Sequence, residues 1–207
     1  MRKLISLLHV SLDGFVSSTC DRINWVTLDD EIFEDTLAFE SGADTAIFGR
    51  KTYEMMERYW PGVLVNPESS TNELRHAAWM NLVDKIVFSQ MLDHVAWKNT
   101  QVARGDLQKT ISQLKETKGG DMMIVGSPRL TLALMKLDLV DEYKFNINPV
   151  ILGNGFSLFG QSGSELPLQL INERRFACGV VSLHYCRRRN QWWKVSSPQA
   201  VIQRKTA

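Results

Sequence analysis

Apolar residues fall along the chain in two patterns, short continuous runs and stretches with helical spacing. The runs are rich in Leu, Ile, Val and Met, which is typical of strands buried on both faces of a sheet. They predict strands at residues 3–10, 43–48, 85–89 and 122–125. A short strand is predicted at residues 100–103, and the alternation of polar and apolar residues at 142–148 predicts another. Residues 169–176 and 180–186 flank Cys178-Gly179 and predict a closing antiparallel hairpin.

Stretches with helical spacing lie between these runs. Residues 29–40 carry four apolar residues at helical spacing behind Asp29 and Asp30, which are candidate N-caps. Further helices are predicted at residues 71–82 and 128–136, and between Asp106 and Gly119-Gly120. A short helix is predicted from residue 50 to about 57, and Tyr59-Trp-Pro-Gly62 is expected to end it. Strands separated by helices predict an α/β fold with a mostly parallel sheet, an antiparallel end and helices on both faces.

Four loops each follow a predicted strand of this sheet. They are residues 11–14, 49–52, 89–92 and 126–129. Ligands of parallel α/β sheets bind outside the carboxyl ends of the strands. We therefore expect the functional site at these loops.

Two of the loops carry chemistry that suits a phosphate. In Gly49-Arg50-Lys51-Thr52, glycine permits close backbone approach, a helix N-terminus attracts anions and two cations add charge. Val125-Gly126-Ser127-Pro128-Arg129 repeats this arrangement with proline at the first helical position. Each segment is equally compatible with an ordinary helix start, so both interpretations stay open.

Several common catalytic patterns are absent. The sequence has no G-x-G-x-x-G fingerprint, no G-x-x-x-x-G-K-[ST] loop and no G-x-S-x-G elbow. These absences argue against a standard Rossmann site, an ATPase or GTPase, and a serine hydrolase. The histidines, His9, His76, His94 and His184, are scattered without metal-ligand spacing, so we expect no metal site.

Acids and tryptophans near the first loop are further candidates. Asp13 follows the first strand, and Asp29, Asp30 and Glu31 open the next helix. A carboxyl group in a partly apolar pocket can deliver a proton, although capping of the helix explains the same acids. The side chains of Trp25 and Trp60 could line the pocket of a planar ligand or anchor the core.

Composition and charge limit the class of protein. The chain has 207 residues, of which 44% are hydrophobic, as expected for one globular domain or two small ones. No apolar window is long enough to cross a membrane. The three cysteines have neither metal-ligand spacing nor the pattern of a disulfide framework, which fits a reducing cytosol. Residues 187–207 carry six basic residues and no acid, whereas the rest carries 18 basic and 23 acidic residues. We expect a disordered basic tail, with nucleic-acid contact as the alternative.

Taken in order, these segments resemble the dihydrofolate reductase fold. The resemblance is greatest to the bacterial dihydrofolate reductase family proteins, which are related to the C-terminal reductase domain of the riboflavin-biosynthesis deaminase-reductase. It covers about residues 2 to 186. The matching segments are residues 2–14, Ile47-Phe-Gly-Arg-Lys-Thr-Tyr-Glu54, Tyr59-Trp-Pro61, Lys85-Ile-Val-Phe-Ser89, Gly105-Asp106-Leu107, Ile124-Val-Gly-Ser127, Leu139-Val-Asp-Glu142 and residues 148–159.

The resemblance implies a three-layer sandwich of residues 1–186 that binds NADPH. By this resemblance, cofactor phosphates would contact Gly49, Arg50, Lys51 and Thr52, and the pyrophosphate would lie under Gly126, Ser127, Pro128, Arg129 and Leu130. The adenosine ribose and its 2′-phosphate would lie near Ser89 and Gln90, and the nicotinamide near Val10, Asp13 and Gly14. Trp25 and Asp30 resemble the tryptophan and pterin-binding acid of dihydrofolate reductases, which makes Asp30 the candidate proton donor. Gly126-Ser127 stands where those enzymes carry paired glycines.

Three functions are consistent with these features. The first, implied by the resemblance, is a cytoplasmic, homodimeric NADPH-dependent reductase of a pterin- or pyrimidine-like heterocycle, similar to 5-amino-6-(5-phosphoribosylamino)uracil reductase. The second is a nucleotide-binding module with little turnover. The third is a protein that binds nucleic acid through residues 187–207, for which the acidic body offers no support.

Overall fold

The computed structural model describes residues 1–19, 23–161 and 165–188. Its elements follow the predicted alternation of strands and helices. They are β1 (Leu4–Ser11), β2 (Phe15–Ser17), α1 (Asp30–Glu40), β3 (Ala43–Gly49), α2 (Arg50–Val63), α3 (Thr71–Leu82), β4 (Asp84–Phe88), β5 (Thr100–Ala103), α4 (Leu107–Glu116), β6 (Asp121–Val125), α5 (Pro128–Lys136), β7 (Glu142–Asn148), β8 (Phe156–Ser157), a 3₁₀ turn (Phe159–Gln161), β9 (Leu168–Arg175) and β10 (Val181–Arg187).

Eight strands form one sheet in the order β5-β4-β3-β6-β1-β7-β10-β9. The strands from β5 to β7 in this order pair in parallel, and β10 pairs antiparallel with both β7 and β9. The predicted α/β class, the mostly parallel sheet and the antiparallel C-terminal hairpin are therefore confirmed.

Helices cover both faces of this sheet. On one face, Phe33 of α1, Trp60 of α2 and Met80 of α3 belong to a single buried cluster with side chains of the sheet. On the other face, Ile111 of α4 and Leu134 of α5 belong to a second cluster. The alternation of side chains along the strands supplies both clusters, which gives the three layers. No helix of the described residues is long and apolar enough to cross a membrane.

The helix α2 is longer than its sequence predicts. Tyr59-Trp-Pro-Gly62 was expected to end it, but the helix continues through Pro61 to Val63. Pro61 lies so close to the C-terminus that its missing N–H removes only one bond of the last turn. Trp60 and Val63 are both buried in the core, so packing outweighs the weak helix propensity of this segment.

A second, two-stranded sheet was missed by the sequence analysis. Strands β2 and β8 pair antiparallel and are only three and two residues long, too short for a periodic signal. Gly155 precedes β8 with φ +133°, and a Cβ there would lie 2.0 Å from the backbone oxygen of Ser17. Glycine is thus required for this close approach.

The end of the sheet lies near the predicted boundary of the basic tail. Arg187 is the last residue of β10, and its guanidinium donates to Asp138 at 2.7 Å. The tail from residue 189 onward lies outside the described residues, and its predicted disorder stays a prediction.

A charged cluster joins the strands β1, β7 and β10 at one end of the sheet. The carboxylate of Glu142 accepts from His184 at 2.9 Å and from Lys3 at 2.8 Å. The hydrogen bond from His184, assisted by Lys3, lowers the pKa of Glu142 to about 2 although burial opposes the change. The ionised carboxylate therefore contributes to the free energy of unfolding.

We expect Glu142→Gln to change how stability depends on acid. The pKa of Glu142 is lower in the folded protein than its ordinary 4.5, so its contribution is complete above pH 4.5 and is lost as the pH falls towards 2. In urea unfolding at a series of pH values, the variant should be less stable at pH 7 and should lose less stability below pH 4.5. Glu173→Gln, on the exposed face of β9, is the control, and equal acid dependence of all three proteins would contradict the prediction.

Candidate active site

Two helices begin side by side at the carboxyl ends of β3 and β6. These strands are parallel neighbours, with Ile47 opposite Ile124. After β3 the chain enters α2 on one face of the sheet, and after β6 it enters α5 on the other. Helices that leave adjacent strands to opposite faces open a crevice between their N-termini, which is where sheets of this kind bind ligands.

The N-termini of these two helices lack the side-chain caps found on the other helices. Asp29, Ser70 and Asp106 accept hydrogen bonds from the first turns of α1, α3 and α4. At α2 and α5 the cap residues, Gly49 and Ser127, make no side-chain cap bond. The Ser127 hydroxyl instead accepts from the Gly49 N–H at 3.0 Å, which joins the two helix starts. First-turn N–H groups of both helices are thereby left to bind an anion.

The first cavity lies at this junction and has a volume of about 340 Å³. Three cations line it: Arg50, Lys51 and Arg129. Arg50 is bonded to Glu54, one turn along the helix, at 2.9 and 3.1 Å, and Arg129 lies 4.8 Å above the ring of Phe156. Cations beside two helix N-termini favour a ligand that carries phosphate groups.

The second cavity adjoins the first and has a volume of about 150 Å³. Both cavities are lined by Thr52, Met55, Ser127 and Pro128, among others. The residues that line only the second cavity are mainly apolar and aromatic, and they include Phe33 and Trp60. Its polar side chains are those of His9, Thr36 and His76.

His9 lies on β1 against two asparagines of the neighbouring strand β7. Asn146 and Asn148 approach its ring nitrogens at 3.5 and 3.4 Å. Burial, with a smaller contribution from the nearby Lys144 ammonium, lowers the pKa of His9 to about 4. The His9 imidazole is therefore uncharged at neutral pH, with one donor and one acceptor nitrogen.

His76 and Glu40 form a buried pair that joins α3 to α1. The Nδ1 atom of His76 is hydrogen-bonded to Oε1 of Glu40, and both side chains are almost fully buried. The ring of His76 packs edge-on against Trp60, with centroids 4.4 Å apart. Burial raises the pKa of Glu40, and its Oε2 atom has no hydrogen-bond partner among the described residues.

Most of the phosphate-binding residues expected from the resemblance lie together. The first cavity is lined by Gly49, Arg50, Lys51, Thr52, Ser127, Pro128, Arg129 and Leu130. Gly126 and Trp60 line the second cavity. The two phosphate-type loops, 76 residues apart in sequence between Gly49 and Val125, thus form one site.

The residues expected near the nicotinamide have structural contacts of their own. Asp13 accepts from Leu152 and Gly153 at 3.1 and 2.7 Å and thereby holds the loop after β7. A hydrogen bond from Ser11, supported by these backbone N–H groups, lowers the pKa of Asp13. Val10 is fully buried, and Gly14 packs against Phe159 with φ +86°. None of Val10, Asp13 and Gly14 is among the residues that line the two cavities.

Ser89, Gln90 and Trp25 also lie outside the walls of the two cavities. Ser89 accepts from the N–H groups of Met91 and Leu92 at 3.1 and 3.0 Å, and Gln90 donates to the Arg104 carbonyl at 2.7 Å. These contacts fix the turn after β4. The Trp25 side chain is half-buried.

Asp30, the candidate proton donor, is exposed on the surface at the start of α1. Its carboxylate accepts from Ser70 at 2.5 Å and from Asn72 at 2.8 Å, which links the first turns of α1 and α3. It does not line either cavity. The structure thus gives Asp30 a bracing contact between two helices and does not bring it to the site.

Thr36, Met56 and His76 line the second cavity and were not selected from the sequence. His9, in the first predicted strand, was expected to be a packed or a surface imidazole and not a site residue. These residues belong to β1, α1, α2 and α3, and no short motif contains any two of them. Only the packing of three helices on one face of the sheet brings them together.

The family of the chain follows from comparison with known proteins. The RibD C-terminal domain model matches residues 2–182, so the chain belongs to this family and the resemblance stated from the sequence is confirmed. The uncharacterized protein YyaP of Bacillus subtilis (strain 168) is 30% identical over 89% of this chain and 94% of its own length. The uncharacterized protein YwjB of the same organism is 27% identical over 90% of this chain and 98% of its own.

Solved structures share the fold at lower identity. A putative riboflavin biosynthesis protein of Shewanella sp. PV-4 matches with a TM-score of 0.70 and 21% identity, over 90% of this chain and 99% of that one. A pyrimidine reductase-like protein of Corynebacterium diphtheriae gives 0.62 and 16%, over 91% and 93%. The deaminase/5-amino-6-(5-phosphoribosylamino)uracil reductase of Thermotoga maritima gives 0.61 and 15%, over 90% of this chain and 57% of that one.

We expect Gly126→Ala to destabilise the protein by about 1 kcal/mol. Gly126 has φ +61°, a conformation unfavourable for alanine, and a Cβ there would lie 3.3 Å from Cγ2 of Thr52. Gly62→Ala is the control because φ at Gly62 is ordinary and no atom lies within 4 Å of the added Cβ. Chemical denaturation should show lower stability for the first variant and equal or higher stability for the second. Equal stability of both variants would mean that the turn at Gly126 does not need glycine.

Proposed function

We propose that this chain is an NADPH-dependent reductase of a small pterin- or pyrimidine-like heterocycle. The observation that carries the proposal is the pair of helix starts at Gly49 and Ser127, which lack side-chain caps and meet at a cavity with three cations. That cavity adjoins an apolar, aromatic-lined cavity with room for a ring. Membership of the RibD C-terminal domain family supports the same conclusion.

The residues of the first cavity fit the phosphate groups of a nicotinamide dinucleotide. A bound pyrophosphate would accept from first-turn N–H groups of α2 and α5. Arg50, Lys51 and Arg129 would supply the countercharge for the pyrophosphate and for a 2′-phosphate. Gly126 lets the backbone turn sharply where the two cavities meet. When bound, the cofactor supplies the hydride.

The protein's own contribution is to orient the substrate and to exclude water. The ring would lie in the second cavity between β1 and the helices α1, α2 and α3. Of the titratable side chains there, His76 has one ring nitrogen held by Glu40, which fixes the orientation of the imidazole. We propose that His76 moves the proton, in place of Asp30, which lies outside both cavities.

A nucleotide-binding module with little turnover is the second candidate. The observation in its favour is that no Asp or Glu of the described residues lines either cavity. The two candidates differ in one measurement. A reductase oxidises NADPH in the presence of a suitable heterocycle, whereas a binding module binds NADPH without oxidising it.

Fluorescence titration of the purified protein with NADPH and with NADH tests the cofactor assignment. We expect micromolar binding of NADPH and weaker binding of NADH, because the 2′-phosphate adds a contact with a cation. Oxidation of NADPH is then followed with pterins and pyrimidines. Failure of both cofactors to bind at about 1 mM would refute the proposal.

The double variant Arg50→Ala/Lys51→Ala should bind NADPH about tenfold more weakly if one of the two cations contacts a phosphate and about a hundredfold or more weakly if both do, because a charged contact with a phosphate contributes about 1.5–3 kcal/mol. If either cation meets the 2′-phosphate, NADH binding should fall much less. Lys109→Ala/Lys118→Ala, which removes two exposed lysines outside both cavity walls, is the matched control. Unchanged NADPH affinity in the first variant would show that these cations do not hold the cofactor.

A further inference from the structure

The charges of the site are divided unequally between its two cavities. The Lys and Arg side chains that line the site within the described part of the chain, Arg50, Lys51 and Arg129, all line the first cavity. Among the described residues, no Lys, Arg, Asp or Glu lines the second. If the cofactor's phosphates use the three cations, no Lys or Arg of the described residues is left in the second cavity for a phosphate of the substrate.

We infer that the second cavity takes an uncharged, planar ring compound that carries no phosphate group. This inference rests on the proposed reductase function and narrows its substrate class. It separates this chain from the Thermotoga maritima protein, which is described as a reductase of 5-amino-6-(5-phosphoribosylamino)uracil. That compound has a phosphorylated sugar attached to its pyrimidine ring.

The volume of the second cavity supports this substrate class. At about 150 Å³ it matches an engineered apolar cavity of the same size that binds benzene. A cavity of that size accommodates one small ring system. A ring with a phosphorylated ribose attached would need considerably more space, so the sugar phosphate would have to lie outside the cavity.

Electrostatics near the second cavity also oppose a phosphate. Burying an unpaired anion in an apolar wall is costly, since no cation replaces its hydration. Glu40, a buried acid that does not itself line the cavity, is bonded to the lining residue His76 and supplies no positive charge there. The ammonium of Lys144 is already paired with Asp35 of α1 and is not part of the wall.

The polar side chains of the second cavity suit the edge of an uncharged heterocycle. His9 and His76 offer imidazole nitrogens, and Thr36 offers a hydroxyl that already donates to the Ile32 carbonyl at 2.9 Å. Imidazole nitrogens and hydroxyl groups exchange single hydrogen bonds with ring nitrogens and carbonyls. The faces of Phe33 and Trp60 provide aromatic contact for the ring.

Calorimetric titration of the NADPH-loaded protein tests this inference with a graded set of probes. The probes are 5,6-diaminouracil, 5-amino-6-(ribosylamino)uracil, the 5′-phosphate of the latter, and 6-methylpterin. We expect at least one bare ring to bind tenfold or more tightly than the phosphorylated compound. Equal or tighter binding of the phosphorylated compound would overturn the inference, and so would the absence of binding by both bare rings.

The cofactor titration on the same sample keeps the two proposals apart. If NADPH does not bind, the proposed function fails, and the ring probes are then titrated into the protein alone. If NADPH binds and the phosphorylated compound is preferred, the function stands and only the substrate class fails. Failure of the cofactor assignment and failure of the substrate class are therefore distinguished.

A variant that fills the second cavity locates the ring. Thr36→Phe places an aromatic side chain into the cavity from α1, and it should weaken ring binding at least tenfold while NADPH affinity stays within about twofold. Ala38→Phe makes the same change in size at an exposed position of the same helix and should leave both affinities unchanged. Undiminished ring binding by a folded Thr36→Phe protein would overturn the placement, and the wild-type probe series tests the substrate class independently of this variant.

Discussion

The parallel pairing of β3 with β6 is the constraint on which the rest of the site depends. Because α2 leaves β3 towards one face and α5 leaves β6 towards the other, the two helix starts separate at the sheet edge and leave a crevice. The hydrogen bond from Gly49 to Ser127 spans this crevice and sets the distance between them. Ser127 is used for this contact and not for capping its own helix, so both helices present N–H groups to the same cavity.

The fold was largely predictable because most elements carry their own signals. α3 and α5 were predicted with the bounds that the structure shows, since their apolar spacing is regular and Pro128 marks the start of α5. The strand β7 was likewise predicted without error. The predicted end of α2 was wrong because the local signal of Pro61 competes with the burial of Trp60. That burial depends on packing against α3, and the sequence does not show that α3 lies beside α2.

The two halves of the candidate site differ in how well the sequence reveals them. The phosphate end was predictable because each helix start carries its own chemistry within five residues, as in Gly49-Arg50-Lys51-Thr52. The second cavity was not, because His9 and His76 are separated by 66 residues and meet only through packing. Asp30 is the converse case, in which a local pattern suggested a site residue that the fold places elsewhere. Its spacing from a tryptophan resembles that of a pterin-binding acid, but hydrogen bonds with Ser70 and Asn72 hold it at the surface.

Beneath α1, the charged or acidic side chains of Lys144, Asp35 and Glu40 have partners of their own, and none of the three lines the second cavity. Lys144 extends from the sheet towards α1, where its ammonium pairs with Asp35 and lies 3.9 Å from the ring centre of Phe39. Glu40, at the C-terminus of the same helix, is unfavourably placed with respect to the helix dipole and is paired with His76. A buried charge is tolerated when it is paired, and Lys144 and Asp35 pair in this way between the sheet and α1. Among the described residues, the wall that remains is mainly apolar and aromatic and carries no Lys, Arg, Asp or Glu, and by our inference that surface selects a ring over a phosphate.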